Sequence, residues 1–449
     1  MAHHWFKNIF GVEEKPDAAR NTKIGIETDA TTGTVFLKCK VGNANRKYIA
    51  GRFYLDTLGN IKNEAIAALQ QFQRTDSSTW AFPNTLQVLN IVVNDIMNDT
   101  GYLCNKDAVF QVASQTNCLE FTSENGKPED GFTNYYNDLT QGPACSLAAP
   151  AGTYIRNYFS VPHGTSFKEQ TEAQQISTLS ELTHQLGGGV DQYFTIRNGY
   201  IKMDAAQKTD FTTKLADPLL QGVNNMRDNF LNHIQIGVNL DTEVLLDRIN
   251  TQLIPYDYMN DLRNKFTVTQ VFCSAVSFGA VPHGTVRNTK DPTNIDILAK
   301  SILQAQYEAT LWVGIINAIQ KGINAVYLTK VGGGVFENDD IWIYEAIERA
   351  LKIMKEYSVP LCVYITHHQQ ISHRNYYNLE AYTTDFRVEP GIDLQHIKTL
   401  VSKTNVELGK LTKKLQKNLT TTGTTVYSKQ VYTKLDKCKN EIAAITNAI

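Results

Sequence analysis

Three absences narrow the reading of this 449-residue chain. It has no CxxC pair: seven cysteines, at 39, 104, 118, 145, 273, 362 and 438, stand singly, which argues against a disulfide framework or a structural zinc site and for reduced thiols. It has no uninterrupted apolar run near the ~18 residues that span a bilayer, and its first residues, MAHHWFKNIFGVEEK, lack the apolar core of a secretory signal. The expectation is a soluble, cytoplasmic protein without membrane contact, with nuclear or cytoskeletal association left open. It also has no charge bias, since Lys plus Arg number 43, Asp plus Glu 45 and the formal net charge is −2. No whole-chain field therefore directs it to nucleic acid or anionic lipid. What is present is 42% hydrophobic residues, enough for at least one sizeable core.

No fixed-period repeat is visible. Residues 23–29 (KIGIETD), 34–41 (TVFLKCKV) and 47–54 (KYIAGRFY) mix β-branched and aromatic residues with Gly and Asn breaks, predicting an N-terminal group of antiparallel strands. Ile61, Ala65, Ala68, Leu69 and Phe72 share one helical face, and Leu86, Leu89, Val93, Ile96 and Met97 share another. Residues 107–114 (DAVFQVAS) are nearly continuous in apolar character, as a strand buried on both faces would be. Residues 151–160 and 192–202 read as strands on either side of a helix at about 176–186, and 205–250 reads as mainly helical. The last third alternates: strand 268–276, helix 294–320, strand 324–329, glycines 332–334, helix 340–356, strand 360–366. That alternation predicts βαβ crossovers and an α/β fold with a mixed, largely parallel sheet.

Residues 392–449 differ in kind. Leu394, Ile397, Leu400 or Val401, Leu408, Leu411, Leu415 and Leu419 form a roughly heptad-spaced stripe, TTTGTT interrupts it, and Val431, Leu435, Ile442 and Ile445 resume it. A helical hairpin is expected, carrying ten lysines against four acidic residues.

The glycines at 332–334 lie between a predicted buried strand and an amphipathic helix containing Ile343, Ala346, Ile347, Ala350 and Leu351. Glycines at such a junction let backbone N–H groups approach an anion, and the helix dipole adds partial positive charge. The segment is neither a Walker A loop nor a GxGxxG fingerprint. The plain alternative is a strand-to-helix turn with Asp339 or Asp340 as N-cap.

Three further segments carry a family resemblance. Residues 107–117 (DAVFQVASQTN) resemble the macrodomain strand that reads D-A-I-V-N-A-A-N, and 142–152 (GPACSLAAPAG) are similar to the glycine-started helix that follows it. Residues 268–276 (VTQVFCSAV) resemble the later V-I-H-x-V-G-P strand, after which 305–311 (AQYEATL) leads to 332–336, where macrodomains carry a small-G-V-F/Y-G loop. The order along the chain is the macrodomain order. In motif detail the chain looks closest to the Legionella effector ADP-ribosylhydrolase type macrodomains and their eukaryotic relatives.

The resemblance implies a three-layer α/β/α macrodomain-like core at 101–390 with an insertion at about 160–260. Residues 1–100 would then be a strand and helix extension packed on that core, and 391–449 the basic hairpin. It implies binding of ADP-ribose or an ADP-ribosylated protein, with no metal and no cofactor. Gly332, Gly333, Gly334, Val335 and Phe336, with Asn338 beside them, would be the phosphate loop, and Gln141 and Gly142 the opposing wall. Ser114, Gln115 and Asn117 compete for the place of the ribose-holding asparagine. Glu337 departs from the family glycine and would set a carboxylate near the diphosphate unless it points away.

Hydrolysis of an ADP-ribosyl bond needs a carboxylate to position water and stabilise positive charge at the anomeric carbon. Asp339 and Asp340 are the candidates, with helix capping as the bland alternative for one of them. Asp138 and Thr140 are placed at the cleft mouth or in a polar turn. Arg156 is read as a strand residue that contacts phosphate or pairs with a surface carboxylate. His367, His368 and His373 are expected as exposed loop histidines rather than zinc ligands. Cys145 is expected to pack with small residues. The expected function is thus ADP-ribose binding, extending to hydrolysis of mono-ADP-ribose from protein side chains. The rival is a catalytically inactive interaction module in a larger, for example cytoskeletal, assembly, its basic hairpin engaging an acidic macromolecule.

Overall fold

The computed structural model describes residues 4–14, 23–74, 80, 82, 85–101, 103–163, 166–187, 191–215, 230–249, 252–255, 266–278 and 294–384. The described residues all fall in one compact unit. The basic hairpin expected at 391–449 lies outside the described residues.

Nine strands build the main sheet: β1 (Gly25–Thr28), β2 (Val35–Val41), β3 (Ala44–Thr57), β4 (Gln87–Val93), β5 (Val109–Ala113), β6 (Gln235–Glu243), β7 (Thr267–Cys273), β8 (Ala325–Leu328) and β9 (Cys362–His368). Their order is β1-β2-β3-β6-β7-β5-β8-β9-β4. Pairing is antiparallel from β1 to β7 and parallel from β7 through β5, β8 and β9 to β4. The helices that matter for the site are α1 (His4–Phe10), α2 (Leu58–Gln73), α3 (Gln141–Ala148), α4 (Pro150–Tyr158), α5 (Asn294–Lys321) and α6 (Asp340–Glu356).

Strand alternation sorts side chains between the two faces of this sheet. Gln111 of β5 donates to Thr310 of α5 at 3.1 Å, and a Cβ on Gly314 of α5 would meet Val326 Cγ2 at 2.5 Å, so these strand residues face α5. That face is closed by α5 together with α2 and α6 over a core that includes Ile61, Leu69, Val271, Trp312, Ile347 and Ile365. The alternate residues face the other way: the Arg156 guanidinium of α4 lies 3.7 Å from the Phe272 ring centroid. Phe110, Tyr327 and Tyr364, in register across three parallel strands, stack at 4.5 and 4.7 Å. The result is an α/β/α sandwich around a mixed sheet. Strands β1 to β4 of the N-terminal part belong to it, β3 pairing with β6 and β4 with β9.

Three expectations need correcting. Residues 86–93 enter the edge strand β4, not a helix, which is confined to Ile96–Thr100. Val88 is buried while Leu89 is 43% exposed, a period of two that five apolar residues had mimicked at helical spacing. Residues 151–158 are helix α4, not a strand; Pro150 sits in its first turn, and Tyr154 and Tyr158, one turn apart, meet edge to face at 4.9 Å. Within 205–250 the described helical residues are Ala205–Leu215 and 230–232, and 235–243 form β6, the strand that joins the antiparallel and parallel halves. Among the described residues no helix is long and apolar enough to cross a membrane.

Candidate functional site

A cleft of about 710 Å³ opens at the carboxyl ends of β4, β5, β8 and β9. This is where open parallel sheets present loop backbone and helix N-termini to ligands. One wall is the glycine loop after β8. It is folded on itself by Gly333 N–H donating to Lys330 O (3.1 Å), Glu337 N–H to Gly334 O (2.9 Å) and Asn338 N–H to Gly332 O (2.9 Å).

The three glycines have different reasons to be there. Gly332 needs φ +71°, and a Cβ would lie 2.4 Å from Ala275 Cβ. A Cβ on Gly333 would meet Ile343 Cδ1 at 2.9 Å, so it is packed against α6. Gly334 has nothing within 4 Å of the Cβ position and is open to the cleft. The N–H groups of Gly334, Val335 and Phe336 donate to no acceptor among the described residues. Asn338 lies beneath the loop, off the cleft wall, its Nδ2 donating to Val276 O (2.8 Å) and Gly332 O (3.2 Å). Glu337 (φ +54°) is exposed and does not line the cleft.

The opposing wall is the start of α3 with Asp138, Leu139 and Thr140 before it. Gln141 lines it, but its amide continues the β5 ladder, accepting from Ala113 N–H (2.9 Å) and donating to Gln111 O (2.7 Å). Gly142 is required by close approach: a Cβ would lie 2.1 Å from Ala113 O and 2.7 Å from both Glu120 carboxylate oxygens. Gln115 also lines the cleft, yet its amide is spent on both backbone groups of Phe121, at 3.0 and 3.1 Å. Asn117 does not line the cleft. It is fully buried, its Nδ2 donating to Gln175 Oε1 (2.7 Å) and its Oδ1 accepting from Leu119 N–H (3.1 Å). Ser114 reaches the wall with its hydroxyl donating to Gln115 O (3.0 Å).

Asp339 and Asp340 stand at the first turn of α6, outside the cleft lining. Asp339 caps the helix through Ile341 N–H (3.1 Å), and Asp340 accepts from Lys330 Nζ (3.2 Å) and Ser372 Oγ (3.1 Å), both of which line the cleft. Asp339→Ala is expected to lower stability by about 1 kcal/mol, the usual size of a lost cap, and Asp339→Asn to recover most of it. Urea unfolding of the three proteins reads this; equal stability of the Ala variant would show the cap to be without weight.

Arg156 is buried on α4, not on a strand, and donates to Cys118 O (3.1 Å), Ser146 Oγ (3.0 Å) and Thr153 Oγ1 (3.1 Å). Burial lowers its pKa to about 10. His367 is buried too, contrary to expectation, paired with Asn90 Oδ1 at 2.9 Å; burial first, and Lys330 next, bring its pKa down to about 4, so it is neutral at ordinary pH. His368 is exposed on the cleft, and His373 caps the turn Arg374–Tyr382. Burial pushes the Cys145 thiol up, which leaves it a packing residue. Among the described residues no cluster of His, Cys, Asp and Glu could hold a metal ion.

Two cleft residues had no sequence signal. Tyr200 comes from the hairpin Thr195–Arg197/Tyr200–Lys202; its hydroxyl donates to Phe121 O (2.7 Å) and its ring lies 5.5 Å from Phe336. Glu120 lies in the loop after β5, is 8% exposed and lines the cleft. No protein group among the described residues donates to its carboxylate, and Oε1 is fully buried without a partner. Burial holds its pKa well above the usual carboxylate range, against the opposing pull of Arg156.

No protein-family model matches the sequence, and no curated protein matches it. Solved structures similar in fold include a poly(ADP-ribose) glycohydrolase from Deinococcus radiodurans in complex with ADP-ribose, at 12% identity, covering 74% of this chain and 92% of that one, with a TM-score of 0.33. Another is the poly(ADP-ribose) glycohydrolase from Thermomonospora curvata, at 12% identity, 80% and 92% coverage and a TM-score of 0.31.

Proposed function

We propose that the cleft binds ADP-ribose, free or attached to a protein, with the diphosphate on the loop 332–336. The observation that carries this reading is the run of three successive backbone N–H groups, Gly334, Val335 and Phe336, that meet no acceptor among the described residues and stand beside the N-terminus of α6. Diphosphate oxygens supply the missing acceptors, and the helix dipole favours their charge. The cleft, at about 710 Å³, is within the usual range for small-molecule sites, and Phe121, Tyr200 and Phe336 give it aromatic surface for a purine. The ordered resemblance of four chain segments to macrodomains supplies the ligand class. Leu139 and Val335, exposed on the cleft lining, offer apolar contacts to a protein that carries the group.

Thermal unfolding with ADP-ribose, AMP and ribose 5-phosphate tests the reading. ADP-ribose at a hundredfold its Kd should stabilise the fold by about 2.7 kcal/mol, while the two monophosphates at the same concentration do much less. An equal shift from AMP would move recognition from the diphosphate to the nucleoside; no shift from any of them would remove the reading.

A binding module without turnover is the second reading, favoured by the structural partners of Asp339 and Asp340. Its further partner would be an acidic macromolecule engaged through the ten lysines of 392–449. Deleting 392–449 should then leave ADP-ribose affinity unchanged and abolish an association that weakens with salt, since exposed charges are screened over about 8 Å at physiological ionic strength. Recovery of the same partners with and without the segment would refute that role.

A further inference from the structure

We propose that Glu120 is the proton donor of this cleft, making the protein a hydrolase of ADP-ribosyl linkages and not only a binder of ADP-ribose. The inference rests on the ADP-ribose reading above. Its geometric basis is a carboxyl group, more than nine-tenths buried, set against the first turn of α3 and lining the cleft, with no hydrogen-bond donor to it among the described residues. A buried acid without partners costs stability, and the fold maintains it from several sides. Tyr135 Oη accepts the Glu120 N–H at 2.7 Å, Arg156 holds the carbonyl of Cys118 at 3.1 Å, and Gly142 leaves room for both oxygens.

That placement suits a general acid. The groups facing Glu120 are Arg156, which favours its ionised form, and Asp138, Tyr135, Cys118, Cys145 and Tyr200. Burial outweighs Arg156, so the carboxyl keeps its proton above the pH at which an ordinary glutamate loses it. In the proposed step the carboxyl proton passes to the substituent atom on the anomeric carbon of the distal ribose as the bond between them breaks and its electron pair leaves with that atom. Water then adds its oxygen to the anomeric carbon and returns a proton to the Glu120 carboxylate. The products are ADP-ribose and the protonated side chain, for one water consumed.

The test compares full-length wild type with Glu120→Gln, which keeps the shape and removes the transferable proton. Substrates are proteins modified on serine, arginine or glutamate, and ADP-ribose bearing 4-nitrophenol at the anomeric carbon, whose leaving group needs no proton. The variant should lose at least about a hundredfold in kcat on the protein substrate that wild type cleaves best, keep its ADP-ribose affinity, and turn over the nitrophenyl compound nearly as wild type does. The wild-type rate should fall as pH rises through the raised Glu120 pKa. Unchanged turnover by the variant, equal loss on both kinds of substrate, a wild-type profile flat from about pH 5 to 9, or a wild type that binds ADP-ribose yet cleaves nothing would each overturn the inference. A wild type that does not bind ADP-ribose would instead overturn the reading beneath it.

Discussion

Gly334→Glu should lose ADP-ribose affinity by on the order of a thousandfold while unfolding at the same urea concentration as wild type. A Cβ at this position meets nothing within 4 Å, and the residue lines the cleft, so the added side chain occupies the space assigned to the diphosphate. Two like charges about 4 Å apart repel by about 4 kcal/mol at an effective dielectric of about 20, which is close to three decades in Kd. Gly334→Ala adds no charge and little volume and should stay near wild type. Gly332 and Gly333 are poorer places for the experiment. A side chain there would strike Ala275 at 2.4 Å or Ile343 at 2.9 Å, and lost binding would not be separable from lost structure. Equal affinity in wild type and Gly334→Glu would show that the loop does not hold the ligand.

The largest loss of stability is expected from Glu308→Ala. Glu308 of α5 is 1% exposed and receives Lys62 from α2 (3.3 Å), Arg349 from α6 and the indole N–H of Trp312 (3.2 Å). One carboxylate therefore ties together the three helices on that face of the sheet. Removing it leaves two cations beside an apolar core, and breaking a buried pair costs about 3–5 kcal/mol. Because Lys62 and Arg349 remain 30% and 26% exposed, the lower end, about 3 kcal/mol, is expected. Glu308→Gln keeps an acceptor and the packing and should lose less. Urea unfolding with an unchanged m-value reads the difference directly; a midpoint within error of wild type would mean that the cluster is neutral to folding.

Glu120→Gln should behave in the opposite way and raise stability at neutral pH. The folded pKa of Glu120 lies above its ordinary value of 4.5, so folding must hold a proton that the unfolded chain releases, and stability is lost as pH rises through that interval. Glutamine carries no such cost. Its advantage in thermal midpoint should be present near pH 7 and shrink as the pH approaches 4.5, a pattern common where a site is kept at the expense of the fold.

The parts of the fold that were legible are those where period and length agree. From β7 through α5, β8 and α6 to β9, element order is as expected and bounds differ by at most three residues, because long amphipathic helices alternate with short apolar strands. The failures fall on short apolar runs. Residues 86–93 and 151–158 fit either period, and the outcome was set by partners far away in sequence: β9 beside β4, and the Phe272 face of the sheet beneath α4. The site divides in the same way. That 332–334 form a backbone-lined turn follows from three glycines between strand and helix. Which glycine is open depends on where Ala275 and Ile343 come to lie, and the sequence holds no local trace of that. Gln115 and Asn117 have the right chemistry for a ribose contact, but the loop after β5 folds tightly enough to consume both amides. Glu120 was invisible because one carboxylate in a polar stretch looks ordinary until α3, α4 and the 128–138 segment enclose it.

Calorimetric titration of ADP-ribose into the full-length protein bears most directly on the ligand assigned to the cleft. A saturable heat with one site per chain, absent when Gly334→Glu is titrated and retained by Gly334→Ala, is the expected result. No heat with wild-type protein, or the same isotherm for all three proteins, would contradict it.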